Sequence, residues 1–214
     1  MNINKNAKRI LCYGDSNTWG YIPGNGDERF SPDIRWTGLL QKELGNDYEI
    51  IEEGLNARTT LLDDPMYEGK NGINYLRPCL QTHYPLDLVI LMLGTNDLKE
   101  RFDRTPKQIA EGIEALIYVI SDPDSNYNYQ PKIILMSPPI VNESVNGVTE
   151  NFLGAEEKSK YLGILYKNIA DKHKTKFIDL KKFVSPSKTD GCHLEPEAHQ
   201  KIADLIFEKI KDMA

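Results

Sequence analysis

The sequence has few cysteines and no long apolar run, and both shortages narrow the classes of protein it can belong to. Only three of its 214 residues are cysteines, Cys12, Cys79 and Cys192. An odd number at unrelated spacings predicts neither a disulfide framework nor a zinc site. No apolar run approaches the roughly 18 residues of a membrane span, and the first residues contain no apolar signal region. We expect a cytoplasmic protein without metal, cofactor or membrane partner.

The sequence also has fewer positively than negatively charged residues. The chain has 26 Lys and Arg against 32 Asp and Glu, which gives a net charge of -6 and an isoelectric point near 5.3, and no basic cluster stands out. Nucleic acids bind basic surfaces, so they are not an expected partner. The composition, 40% hydrophobic and 27% charged, is typical of globular proteins. The length fits one domain with a real core, which we expect over residues 1–214.

Short apolar segments alternate with amphipathic ones along the chain. Strands are predicted at residues 10–13, 48–51, 86–93, 132–136 and 177–180, and helices at 36–44, 73–80, 105–120, 155–174 and 196–213. Strands that alternate with helices predict a parallel sheet with right-handed crossovers. The sequence therefore predicts an α/β fold built on a five-stranded parallel sheet.

Residues of the types that catalyse reactions follow several of these strands. Ser16 comes after the first strand, Asn56-Ala57 after the second, Asn96 after the third, and Asp190–His193 before the last helix. The carboxyl ends of parallel strands meet at one edge of a sheet. Residues that are distant in sequence are therefore expected to converge on one cleft.

These residue types are the ones that acyl transfer by a serine requires. A serine nucleophile needs a base and a group that orients the base, together with fixed donors for the developing oxyanion. Asp190 lies three residues before His193, so one loop can present both, while Asn96 offers an amide and Ala57 a backbone N–H. Each pattern alone is more often an ordinary turn or helix cap. Their joint order favours a serine hydrolase.

The same segments carry a resemblance to a known family. Gly14-Asp15-Ser16, Gly54-Leu55-Asn56-Ala57-Arg58-Thr59, Gly94-Thr95-Asn96-Asp97 and Asp190-Gly191-Cys192-His193 resemble blocks I, II, III and V of the GDSL/SGNH hydrolases, in order and over almost the whole chain. The chain is most similar to the arylesterase/acyltransferase (perhydrolase-like) branch, around Arg35-Trp36-Thr37-Gly38 and Glu52-Glu53-Gly54-Leu55. The resemblance implies a three-layer α/β/α sandwich with a flavodoxin-like sheet.

The resemblance also implies a role for each matching residue. Ser16 would be the nucleophile, His193 the general base and Asp190 its partner. The oxyanion hole would consist of the backbone N–H groups of Ser16 and Ala57 and the side chain of Asn96. Ala57 stands where the wider family has glycine, which puts only the shape of that loop in doubt.

The function implied is a serine esterase or acyltransferase that acts on small uncharged esters, either aryl or short-chain acyl, with water or an alcohol as acyl acceptor. A carbohydrate deacetylase of the acetyl-xylan type would use the same residues and is the first alternative. An inactive α/β binding module is the second. The similar branch also implies a homo-oligomer, with contacts expected in loops 127–130 and 141–153.

Several residues near these segments receive weaker predictions. Trp19 and Asn17, which replaces a family leucine, are predicted to lie at the substrate pocket. Asp15 and Asp97 are predicted to be structural and to accept bonds from backbone amides. His199 is predicted on the solvent-exposed face of the last helix. Cys192 is a poor candidate for the nucleophile, because adjacent side chains rarely point at each other.

Overall fold

A five-stranded parallel sheet forms the centre of the computed structural model, which describes residues 2–26, 28–122, 130–145 and 151–213. The strands are β1 (Lys8–Gly14), β2 (Tyr48–Gly54), β3 (Leu88–Met92), β4 (Lys132–Ser137) and β5 (Lys176–Asp179), in the order β2-β1-β3-β4-β5. The helices are α1 (Ser16–Trp19), α2 (Trp36–Leu44), α3 (Gly72–Thr82), α4 (Pro106–Ile120), α5 (Ala155–His173) and α6 (Pro196–Lys211). This order is that of the flavodoxin-like fold, as predicted.

Helices cover both faces of the sheet because successive side chains of each strand point to opposite sides. In β1, Leu11 and Tyr13 join the apolar cluster made with α3, α4 and α5. Ile10 and Cys12 join the second cluster, made with α2 and α6. The predicted three-layer α/β/α sandwich is therefore confirmed, and the strands lie in its middle layer.

The predicted ends of the elements differ from the observed ends by up to three residues, and β2 shows the reason. It continues past residue 51 through Glu52 and Glu53 to Gly54. β2 is an edge strand, so its side chains can be polar without leaving the sheet. Glu52, for example, pairs with the Arg35 guanidinium at 2.6 Å. Because Glu52 and Glu53 are charged, the apolar pattern used to predict the strand ended before the strand itself does.

The prediction for His199 is wrong. Its side chain lies at 0% exposure, where Nδ1 accepts a hydrogen bond from the Trp36 backbone N–H at 3.3 Å. Burial, with a smaller effect from the Arg35 charge, lowers the pKa of His199 to about 4, so the ring is neutral. The helical pattern of α6 did not reveal that α2 packs over this position.

The part of the chain that the structure describes contains no helix long and apolar enough to cross a membrane. The loops predicted to make subunit contacts are described only in part, because residues 127–129 and 146–150 lie outside the described ranges. The homo-oligomer stays a prediction.

Helix α4 begins with a capping box formed by Thr105 and Gln108. Thr105 Oγ1 accepts from the Gln108 backbone N–H at 3.3 Å, and Gln108 Oε1 accepts from the Thr105 backbone N–H at 3.0 Å. Two N–H groups that the helix leaves without partners are thereby satisfied.

Replacing Thr105 by alanine removes the hydroxyl of this box, so we expect Thr105→Ala to lower the free energy of unfolding by about 1 kcal/mol. Urea denaturation followed by circular dichroism measures the change. Thr105→Ser keeps the hydroxyl and should stay close to the unaltered protein. An equal loss in both variants would show that the methyl group, and not the cap, matters here.

Candidate active site

Ser16 occupies a tight turn between β1 and α1. The side chain of Asp15 caps this turn by accepting a hydrogen bond from the Asn17 backbone N–H at 3.0 Å. A Cβ atom at Gly14 would collide with the Thr18 side chain and the Met92 carbonyl. The glycine therefore lets Thr18 and the end of β3 pack directly against the backbone here, and Ser16, 7% exposed, borders the cleft.

Ser16, His193 and Asp190 form one hydrogen-bonded series. Ser16 Oγ lies 2.9 Å from His193 Nε2, and His193 Nδ1 lies 2.7 Å from Asp190 Oδ2. An ionised carboxylate can only accept, so Nδ1 carries the proton and donates it. Nε2 is then left to accept from the Ser16 hydroxyl. This is the arrangement of a nucleophile with an oriented base.

The loop that carries Asp190 and His193 is folded around the Asp190 carboxylate. Asp190 Oδ1 accepts from the backbone N–H groups of Cys192 and His193 at 3.1 and 3.0 Å. Gly191, which lies between Asp190 and Cys192, has φ +71°. Burial alone would raise the pKa of Asp190, but the hydrogen bond and charge of His193 and the two backbone donors lower it below its ordinary value. The carboxylate is ionised at neutral pH.

The Tyr21 ring stacks on the face of the His193 imidazole, a contact that the sequence did not predict. The two rings are stacked with centroids 4.2 Å apart and planes inclined by 25°. Tyr21 lies in the loop just after α1, close in sequence to Ser16, and only that proximity could have pointed to it. The stacking restricts the ring of His193 to the plane in which Nε2 faces Ser16.

Three donors border the cleft near Ser16 Oγ. Among the described residues, no acceptor takes the backbone N–H of Ser16 or of Ala57, and both residues line the cleft. Asn96 Nδ2 donates one hydrogen to the Arg58 carbonyl at 3.1 Å, which leaves its second hydrogen available. Ala57 has φ +64°, so it keeps a left-handed conformation that glycine adopts more easily. A backbone N–H donor is present at this position although the side chain is alanine.

Buried polar contacts connect the loops that carry these donors. Arg58 Nη1 donates to the Gly14 carbonyl at 2.9 Å, in the turn before Ser16. Asp97 accepts from both the backbone N–H and the hydroxyl of Thr60, at 3.1 and 2.5 Å. Burial raises the pKa of Asp97 to about 6 despite these bonds. Asp97 is structural, as predicted, but its bonds reach across to the neighbouring loop.

The two predicted pocket residues do not line the cleft. Asn17 is 2% exposed, and its Nδ2 donates to the Cys192 carbonyl at 3.2 Å, which ties the Ser16 turn to the Asp190 loop. Trp19 lies beneath the Arg29 guanidinium, 5.3 Å from the ring centroid. Both side chains have partners within the protein, and neither belongs to the cleft lining. That they bind substrate stays a prediction.

Other residues do line the cleft, which has a volume of about 540 Å³. Besides Ser16 and His193, the lining includes Tyr67, Lys70, Lys99 and Phe152. These last four residues come from loops without periodicity, and no pattern in the sequence pointed to any of them.

Cys192 also borders the cleft but does not compete with Ser16. Its Sγ lies 3.4 Å from His193 Nδ1, the nitrogen already bonded to Asp190. Burial raises the pKa of the Cys192 thiol well above its ordinary value, and a thiol reacts as a nucleophile only when ionised. The structure therefore favours Ser16 over Cys192 as the nucleophile.

Solved structures of enzymes share this architecture. An aryl esterase of M. smegmatis is 42% identical, with a TM-score of 0.91 over 97% of this chain and 100% of that chain. A carbohydrate acetylesterase of Sinorhizobium meliloti is 40% identical, with a TM-score of 0.90 over the same shares. A lipase/acylhydrolase of Enterococcus faecalis is 23% identical, with a TM-score of 0.72 over 96% of each chain, and shows the fold alone.

A comparison with curated protein sequences finds no match. The sequence model of the GDSL-like lipase/acylhydrolase family matches residues 12–201. This range contains Ser16, Ala57, Asn96, Asp190 and His193. With the shared fold and the identity to esterases, the match places the chemistry in carboxylic ester hydrolysis. The chain belongs to the GDSL-like lipase/acylhydrolase family and is a serine esterase.

Proposed function

We propose that the enzyme hydrolyses small aryl or short-chain acyl esters through an acyl-enzyme on Ser16. The observation that carries the proposal is the series Ser16 Oγ, His193 and Asp190, with spacings of 2.9 and 2.7 Å. His193 Nε2 takes the hydroxyl proton as Oγ attacks the ester carbonyl. The ionised Asp190 stabilises the resulting imidazolium and keeps its orientation.

The tetrahedral oxyanion would rest on the N–H groups of Ser16 and Ala57 and the amide of Asn96. These donors are held in place before substrate arrives, so little reorganisation is needed as charge develops. The protonated His193 then gives its proton to the leaving alcohol. Water, activated by the same imidazole, releases the acyl group and restores Ser16.

Acyl transfer to an alcohol would follow the same route, with the alcohol in place of water in the second half. The cleft wall supports this extension, because Phe152 and Tyr67 offer apolar surface next to Ser16. An alcohol can bury its alkyl part against such rings, which water cannot do. The ratio of transfer to hydrolysis depends on how far the cleft favours the alcohol.

Carbohydrate deacetylation is a second candidate, supported by the 40% identity to the carbohydrate acetylesterase of Sinorhizobium meliloti. It would use the same residues on an acetylated sugar. Turnover of p-nitrophenyl acetate, butyrate and octanoate, measured beside acetylated xylose oligomers, separates the two. An inactive binding module is disfavoured because it has no need of an aligned Ser16, His193 and Asp190.

A fluorophosphonate reports on the activation of Ser16 directly. We expect one adduct per chain, located on Ser16 by mass spectrometry of the folded protein, and none in Ser16→Ala. Cys192→Ser is the matched control and should be labelled like the unaltered chain. Absence of an adduct on Ser16 in folded protein would overturn the mechanism.

Asn96 contributes to the oxyanion site but not to the activation of Ser16. Losing one oxyanion donor costs about 10² to 10³ in kcat, and we expect this fall in Asn96→Ala with p-nitrophenyl acetate. Labelling of Ser16 by the fluorophosphonate should remain detectable. A fall of less than about threefold in kcat would remove Asn96 from the oxyanion hole.

A further inference from the structure

The wall of the cleft carries positive charge in a protein with an excess of negative charge. Lys70 and Lys99 both line it, and among the lining residues that the structure describes none is an aspartate or a glutamate. The whole chain has a net charge of -6. Clefts lined by one sign of charge concentrate ligands of the opposite sign.

Lys99 is the more deeply placed of the two. The residue is 9% exposed, and the described residues provide no hydrogen bond or ion pair for its ammonium group. Asp64, the acid next to it, is already bound to the Arg101 guanidinium at 2.6 Å. The contact that Lys99 Nζ does make is with the ring of Phe152, whose centroid lies 5.8 Å away.

The surroundings leave this ammonium charged but poorly compensated. Burial, with a smaller effect from the Arg101 charge, lowers the pKa of Lys99 to about 8, although Asp64, Cys192 and Asp15 act in the opposite direction. Most Lys99 side chains therefore carry their proton at pH 7. A charge that is withdrawn from water and has no partner is unfavourable. An anion that entered the cleft would supply the missing partner.

We propose that Lys99, with Lys70 in the wall of the same cleft, forms a subsite for a carboxylate carried by the ester, so that the enzyme takes anionic esters as well as neutral ones. The subsite rests on the proposed function, because it serves an ester that reacts at Ser16. Lys99 follows Asn96 by three residues in sequence. The same loop therefore carries the amide that stabilises the oxyanion and the ammonium that holds the carboxylate. Lys99 is thus a specificity residue of the esterase.

The test compares esters that differ in charge but not in size. Ethyl hydrogen succinate and ethyl succinamate release the same alcohol, and one carries a carboxylate where the other carries an amide. O-acetylglycolate and O-acetylglycolamide make the same comparison on the alcohol side. A hydrogen bond to a charged group is worth about 1.5–3 kcal/mol, which corresponds to a factor of about 10 to 100 in kcat/KM.

At pH 7 we expect the anionic ester to have the higher kcat/KM in at least one pair. Lys99→Met should reduce the ratio of anionic to neutral kcat/KM in that pair by about 10- to 100-fold. Lys99→Arg should keep most of the preference, since it keeps the charge. Lys107→Met, which removes an ammonium whose side chain is 81% exposed on α4, should leave the ratio as it was.

Two results would overturn the subsite. One is a wild-type ratio near one in both pairs, and the other is a ratio in Lys99→Met equal to that of the unaltered enzyme. Fluorophosphonate labelling of Ser16 in each variant shows whether the protein is folded and its nucleophile active. If labelling and turnover of ethyl succinamate persist while the preference is absent, the subsite fails alone. If labelling of the unaltered chain is absent, the proposed function fails first.

Discussion

The pairing of β1 with its two neighbours fixes the distances in the active site. Gly14 lies opposite Gly54 in β2 and opposite Met92 in β3, so three loops leave the sheet at one level. The nucleophile, the Ala57 N–H and the Asn96 amide are carried by these three loops. Both faces of the sheet are buried, and a slip in register would move every side chain of β1 into the wrong layer. The core thereby determines the geometry of the catalytic groups.

The general base, His193, is not carried by any of these three loops and is held by contacts of its own. His193 lies beyond β5, outside the register of the first three strands, and it is oriented by Asp190, by stacking on Tyr21 and by the bond from Asn17 to the Cys192 carbonyl. These contacts act on different sides of the ring and of its loop. Catalysis requires the base to lie within hydrogen-bonding reach of the nucleophile, and here it lies 2.9 Å away. Asn17 therefore serves the site by tying the Ser16 turn to the loop that carries Asp190 and His193.

The sequence was most informative where periodicity or a local pattern determines the structure. The apolar runs predicted all five strands, and the spacing of Asp190 and His193 predicted a shared loop. It was least informative where packing decides, as with His199, whose environment depends on a helix far away in sequence. Tyr21 and Lys99 were missed for the same reason, since a lone aromatic or lysine in a loop has no pattern. Block motifs identify the reacting groups, but the wall of the cleft comes from the loops between them.

The activity proposed for Ser16 depends on Asp190, whose bond to Nδ1 holds His193 in the tautomer and orientation that activate the hydroxyl. Asp190→Asn keeps the size of the side chain but can leave the imidazole in the wrong tautomer, and such a change costs about 10⁴ in kcat in serine hydrolases with this arrangement. The steady-state kcat of this variant with p-nitrophenyl acetate, with circular dichroism to confirm folding, is the most direct test. A fall of about 10⁴ in folded protein is predicted. A kcat within about tenfold of the unaltered enzyme would contradict the account.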